Sequence, residues 1–112
     1  MISAKTASFS FLEMPPNQQY TLLHYMDDLM DVLEIKSLLR GLLKRKVLTK
    51  TLVFDVSKQK SQDRMKRLIE ILFTRGARAY QEFCETVKDE GAFELAYCLQ
   101  RDAYNVDKEI FW

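Results

Sequence analysis

The sequence predicts an all-α fold, a compact antiparallel bundle of six short amphipathic helices, and three observations support this class. The chain has 112 residues, the size of one domain, and is 47% hydrophobic and 29% charged with only 3 Gly and 2 Pro. Apolar residues recur at spacings of three and four along most of the chain. One segment, residues 47–54, is rich enough in β-branched residues to pass for a strand, but no second strand is available to pair with it.

A polar N-terminal arm, residues 1–16, precedes the first helix and ends at Pro15 and Pro16. Asn17 comes directly after the prolines and is a good N-cap. Acidic residues occupy the outer face of the first helix. Its inward-facing residues follow the helical period and are Leu22, Met26, Leu29 and Leu33, with Leu23 and Met30 widening the stripe.

Three more helices follow in the middle of the chain. The second runs from about Ile35 to Lys46 and ends in cations, which suit the carbonyl end of a helix. Thr49 caps a short third helix, and Ser61 caps the fourth after a polar loop. The inner residues of these helices are Leu38, Leu39, Leu42, Leu43, Leu52, Val53, Val56, Met65, Leu68, Ile69 and Leu72.

Two glycines delimit the last helices. Gly76 supplies a left-handed residue after the fourth helix, and Gly91 closes the fifth. The sixth helix fades near Asp102, so residues 17–102 form the bundle and residues 103–112 a C-terminal tail. The inner residues here are Tyr80, Phe83, Cys84, Val87, Phe93, Ala96, Cys98 and Leu99.

The net charge of +1 conceals a strongly uneven distribution. Residues 1–35 carry −4, residues 36–67 carry +9, residues 68–79 carry +1 and residues 80–112 carry −5. Blocks of opposite charge favour complementary docking onto another protein, and the basic block would dock an acidic surface.

The residues needed for catalysis or for metal binding are scarce. The chain has one histidine and two cysteines, too few for a structural zinc site, and its three glycines stand too far apart to cradle a phosphate. Cys84 and Cys98 are expected to be free thiols, and a dyad of Cys84 with His24 is the catalytic alternative. The acidic cluster on the first helix could hold a cation but is better explained as a solvated face. We therefore predict no enzyme activity, no metal and no cofactor.

The chain also lacks an apolar run long enough to cross a membrane, which predicts a cytoplasmic or nuclear protein with no membrane contact. The cations at residues 44–46 and 64–67 could contact nucleic-acid phosphates. No aromatic platform for single strands accompanies them, and the acidic ends of the chain would repel the backbone. Nucleic-acid binding remains the alternative from a different functional class.

From about Tyr20 to Gln100 the chain resembles a caspase recruitment domain of the death-fold superfamily. The segment LLRGLLKRKVLT, residues 38–49, resembles that family's second helix and its step into the third, and SQDRMKRLIEIL, residues 61–72, is similar to the fourth helix. The most specific match is RGARAYQEF, residues 75–83, an Arg-Gly-x-x-Ala-aromatic stretch that opens the fifth helix. EGAFELA, residues 90–96, resembles the turn into the sixth.

The resemblance implies a six-helix bundle of Greek-key type and an interaction module without catalysis. Such a module binds other caspase recruitment domains, as a caspase prodomain or an adaptor, in apoptotic or innate-immune signalling complexes. The implied partners are an initiator caspase or an oligomeric scaffold, with a higher-order oligomer as the assembly. A domain-only decoy that blocks such assembly is the alternative within the family.

In this family the commonest contact pairs a basic surface on the first and fourth helices with an acidic one on the second and third. Here the first helix is acidic and the second and third are basic, with Asp55 their only acid. Arg64, Lys66 and Arg67 of the fourth helix suit the basic side of this contact, and Lys66 is the best single candidate. The predicted basic face comprises Arg40, Lys44, Arg45, Lys46, Arg64, Lys66, Arg67, Arg75 and Arg78. The predicted acidic face comprises Asp27, Asp28, Asp31, Glu34, Glu82 and Glu85.

Overall fold

A computed structural model describes the backbone of residues 13–110 and the side chains of residues 13–103. Within this part the chain is all-helical, which confirms the predicted fold class, and residues 47–54 contain no strand. Residues 1–12 of the predicted arm and residues 111–112 of the predicted tail lie outside the described residues. The helices are α1 (Pro16–His24), α2 (Met26–Val32), α3 (Ile35–Lys44), α4 (Lys50–Ser57), a 3₁₀ turn (Ser61–Asp63), α5 (Arg64–Phe73), α6 (Ala77–Asp89) and α7 (Phe93–Ile110).

The first predicted helix is divided in two at Tyr25, so the described residues form seven α-helices instead of six. The Tyr25 N–H still donates to Thr21 O at 3.1 Å, but its ψ of 8° turns the chain. Its phenol donates to the Asp102 carboxylate on α7, and this bond, with burial, raises the pKa of Tyr25 to about 12. The turn at Tyr25 lets α1 pack on α7 while α2 packs on α5.

One of the three predicted capping residues is confirmed. Thr49 Oγ1 accepts a hydrogen bond from Leu52 N at 3.2 Å at the start of α4. Asn17 lies inside α1, which begins at Pro16, and its side chain donates to Ala103 O at 2.9 Å. Ser61 starts the 3₁₀ turn and does not cap α5. Both predictions were wrong because a tertiary contact or a tighter turn replaced the expected cap.

The helical unit is longer at both ends than residues 17–102. Met14, which the sequence places in the arm, is 1% exposed, and its N–H donates to Phe73 O at 2.9 Å. α7 continues to Ile110, eight residues beyond the predicted end. Contact with α5 therefore orders the chain before the first predicted helical residue.

The core matches the predicted inner positions with five clear exceptions. Leu23, Met30 and Phe93 are exposed, and Leu43 and Cys98 are only half-buried and outside the core cluster. His24 is exposed and stacks on Tyr20. The fully buried large side chains include Leu22, Leu29, Leu38, Leu42, Val56, Leu68, Ile69, Leu72, Phe83, Val87 and Leu99.

Gly76 marks the start of α6. Its φ of 89° confirms the expected positive value, but its ψ of 178° is extended, so it leads into α6 as the N-cap residue. This conformation is essentially restricted to glycine. Arg75 and Arg78, on either side of it, are thereby held near the C-terminal end of α3.

Candidate protein-interaction surfaces

Some cations of the predicted basic face form ion pairs with carboxylates of the same chain, and others have no carboxylate partner among the described residues. Arg45, just past α3, contacts two carboxylates of α6: its Nη1 lies 2.9 Å from Glu82 Oε1 and its Nη2 lies 2.5 Å from Asp89 Oδ2. These contacts raise the pKa of Arg45 further above its ordinary value. Arg45 and Glu82 were assigned to opposite partner-binding faces, yet they neutralise each other.

Arg67 of α5 is also paired internally. Its Nη2 lies 2.8 Å from Asp55 Oδ2 on α4, and its Nη1 lies 3.5 Å from Glu70 Oε1. The guanidinium lowers the pKa of Asp55, the one acid that the sequence offered on the second and third predicted helices. The contact therefore removes a carboxylate and a cation together from the free surface charge.

Lys66 is the free cation of α5. It is exposed, and it forms no ion pair with a carboxylate among residues 13–103. Arg64, on the same helix, is half-buried and donates from Nε to Gln59 O at 3.0 Å, which closes the loop before α5. Of the three cations predicted on this helix, Lys66 alone combines an exposed side chain with the absence of any hydrogen-bond or ion-pair partner among the described residues.

Several exposed cations without a carboxylate partner among the described residues lie on α3 and at the two ends of α4. Lys36, Arg40 and Lys44 are exposed and four residues apart, so they form one line along α3, the basic ridge. Lys50 at the start of α4 and Lys58 just past its end flank Phe54 at the same spacing, and the Phe54 side chain is 68% exposed. Phe54 was not predicted as a site residue, although its spacing from the two lysines places it outward.

The acidic residues lie on two different helices. Asp27, Asp28 and Asp31 are exposed on α2 and form the acidic ridge, with the exposed Val32 beside it and Glu34 just beyond it. Since α2 packs against α5, this ridge lies on the helix next to Lys66. The surface formed by α2 and α5 therefore carries mixed charge.

Glu82 and Glu85 of α6 belong to another part of the molecule. Both line a cavity of about 530 Å³ between α1, α6 and α7. Gln18 also lines it, and its Oε1 is buried without a hydrogen-bond partner among the described residues. The six predicted acidic residues thus do not form one face.

A second, smaller cavity collects the remaining predicted cations. Lys46, Arg75 and Arg78 line it together with Arg45 and Glu82, and its volume is about 190 Å³. Arg75 Nε donates to Val47 O at 3.0 Å, across the connection between α3 and α4. The structure thus brings together cations from two segments that are distant in the sequence. They were assigned to one face only because they are all positively charged.

The two thiols differ in environment and are not bonded to each other. Cys84 is buried in α6, and burial raises its pKa to about 12. Cys98 is half-buried on α7. No group of histidine, cysteine, aspartate and glutamate residues in the described part of the chain could hold a metal ion, and none of its helices is long and apolar enough to cross a membrane.

Burial of Cys84 predicts a loss of stability at high pH. The thiol ionises near pH 8.5 in the unfolded chain but only near pH 12 in the folded one. Folding therefore retains a proton, and this stabilisation is complete below about pH 8.5 and is lost as the pH rises towards 12. We would measure the free energy of unfolding by urea, under reducing conditions, at about pH 7 and about pH 10. We expect it to fall less between these values in Cys84→Val than in the wild type. Equal losses in the two proteins would contradict the assignment.

Comparison with known families identifies the fold. The profile of the caspase recruitment domain matches residues 19–102, about three quarters of the chain. No curated protein and no solved structure matches. The chain belongs to the caspase recruitment domain family, whose members are homotypic protein-interaction modules.

Proposed function

We propose that this domain recruits a protein that carries another caspase recruitment domain, acting as an adaptor or a caspase prodomain in apoptotic or innate-immune signalling in the cytoplasm. The observation that carries the proposal is the family match across residues 19–102. The domain contributes binding and its partner contributes any catalysis. An initiator caspase or an oligomeric scaffold is the expected partner.

The proposed contact centres on α5 and the neighbouring α2. Lys66 offers an unused positive charge, and the acidic ridge offers three negative charges on the adjacent helix. A complementary partner surface therefore presents a carboxylate opposite Lys66 and cations opposite the ridge. This mixed pattern would select among related domains, because a uniformly acidic surface would be repelled by the ridge.

The affinity of a single contact is expected to be modest. Exposed ion pairs contribute only about 0.2 to 1 kcal/mol each, so a single interface that depends on a few of them is expected to bind no more tightly than roughly micromolar. Repetition of the contact in a higher-order oligomer would raise the apparent affinity through effective concentration. The proposal therefore predicts weak binding of isolated domains and strong capture by an oligomeric scaffold.

Charge reversal at Lys66 is expected to weaken partner binding about tenfold, since it replaces an attraction by a repulsion at the contact. We would compare Lys66→Glu with the wild type in affinity purification from lysate with and without nuclease treatment and identify the captured proteins by mass spectrometry. Lys88→Glu, the same change at an exposed position of α6, is the matched control. Arg67→Glu is unsuitable because it would place a third carboxylate beside Asp55 and Glu70.

Each outcome of this experiment decides between functions. Capture of a protein bearing a caspase recruitment domain, lost in Lys66→Glu and kept in Lys88→Glu, supports the homotypic contact. Equal capture by both variants contradicts the role of Lys66. Capture that disappears with nuclease treatment supports nucleic-acid binding instead. A captured caspase whose activation falls as the domain is added favours the decoy.

A further inference from the structure

The cavity of about 190 Å³ between the end of α3 and the first turn of α6 has a strongly positive lining. Arg45, Lys46, Arg75 and Arg78 contribute four cations, against one carboxylate from Glu82. That carboxylate is already bound by Arg45. Three cations of the lining are therefore left without a carboxylate partner among the described residues, and their combined field favours an anion.

Arg75 is held in place before any ligand arrives. Its Nε donates to Val47 O at 3.0 Å, which fixes the plane of the guanidinium. The Nη groups have no acceptor among the described residues. A guanidinium that is already oriented loses less conformational freedom when it binds an anion through its remaining N–H groups.

Lys46 occupies a backbone position that favours glycine. Its φ is +64°, its N–H donates to Leu43 O at 3.0 Å, and the next N–H, of Val47, donates to Leu42 O at 3.0 Å. These bonds define a Schellman motif that ends α3, and glycine is the usual residue at this point. A lysine costs stability here but places a cation in the lining of the cavity, as expected when strain is kept for a binding role.

We propose that this cavity binds the phosphate monoester group of a small molecule. A phosphate monoester carries nearly two negative charges at neutral pH and three acceptor oxygens, which match the three cations lacking a carboxylate. Arginine binds such oxygens in a bidentate manner. The cavity lies at the first turn of α6, whose positive dipole end adds to the attraction. A carboxylate would bring one charge and leave most of these donors unsatisfied.

This inference goes beyond the proposed homotypic contact. That contact depends on Lys66 of α5, whereas the cavity is built from the end of α3 and the start of α6. The test contains no partner protein, so the two proposals fail independently.

The test is a titration of the ¹⁵N-labelled protein with inorganic phosphate and, separately, with glycerol phosphate at constant ionic strength, followed by NMR. We expect saturable shifts at the amides of Val47, Ala77 and Arg78 with a Kd of about 1 mM or lower for both ligands. Acetate at the same concentrations should leave these amides unchanged. Lys46→Gly should weaken binding about tenfold while raising the melting temperature, because glycine suits the positive φ.

Two further variants separate the site from general charge. Arg78→Gln should also weaken binding about tenfold, through the loss of one phosphate ligand. Lys36→Gln, at the other end of α3, removes one charge far along the helix and should bind phosphate as the wild type does. Shifts that grow without saturation, an unchanged Kd in Lys46→Gly and Arg78→Gln, or equal shifts with acetate would each overturn the proposal. Binding of inorganic phosphate without glycerol phosphate would mean an adventitious ion only.

Discussion

Phe83→Ala is expected to lower the free energy of unfolding by about 3–5 kcal/mol. Phe83 is fully buried in α6, which packs against both α3 and α7, so truncation leaves a cavity in the core. Surrounding side chains in a close-packed core relax only partly into such a space. Urea unfolding monitored by circular dichroism gives the change directly.

Phe54→Ala is the matched control for this prediction. It removes the same atoms from a side chain that is 68% exposed on α4, and we expect a change within about 0.5 kcal/mol. Similar losses in the two variants would show that Phe83 is not part of the core. A folded Phe54→Ala protein also tests whether this aromatic residue contributes to partner binding, which a core variant cannot test.

Gly41→Ala is expected to destabilise the protein through a clash between two helices. A Cβ at Gly41 would lie 2.7 Å from Thr86 Cγ2, far inside normal contact, and Thr86 is itself buried on α6. Overpacking of this kind costs about 1–3 kcal/mol, whereas alanine in a helix gains about 1 kcal/mol over glycine. The clash therefore outweighs the helix propensity, and the net effect is a loss of stability.

Thr86→Ser provides the decisive background for Gly41→Ala. Serine removes Cγ2 but keeps the hydroxyl that donates to Glu82 O at 2.7 Å. In this background the clash is absent, so Gly41→Ala should become neutral or stabilising, and the coupling energy in a double-mutant cycle should be about 1–3 kcal/mol. Additive effects would contradict close packing of α3 on α6 at this point.

Much of the fold could be predicted from the sequence because helix formation and core burial are periodic. In α5 all four predicted inner residues, Met65, Leu68, Ile69 and Leu72, are buried. The choice of a helix over a strand at residues 47–54 also followed from local reasoning, since Thr49 caps α4 and no partner strand was available. Likewise, the segment with the Arg-Gly-x-x-Ala-aromatic pattern carried enough information to indicate the family that residues 19–102 match.

The candidate sites could be predicted only in part. Lys66 was identified from the resemblance of its helix to the fourth helix of caspase recruitment domains, and it is exposed and free of carboxylate partners in the described structure. Phe54 and the cluster formed by Lys46, Arg75 and Arg78 were not recognised as sites. The cluster joins residues about 30 positions apart, and nothing in local spacing indicates that the end of one helix lies beside the start of another.

The sequence by itself determined the helical class, most of the buried residues and the uneven distribution of charge, because these depend on composition and on the helical period. Tertiary structure alone decided the break at Tyr25 and which charges remain free. Arg45 pairs with a carboxylate 44 residues further along the chain, and Arg67 pairs with one 12 residues before it. Whether a surface cation is neutralised depends on which helix packs beside it, and the period of a single helix carries no information about its neighbour.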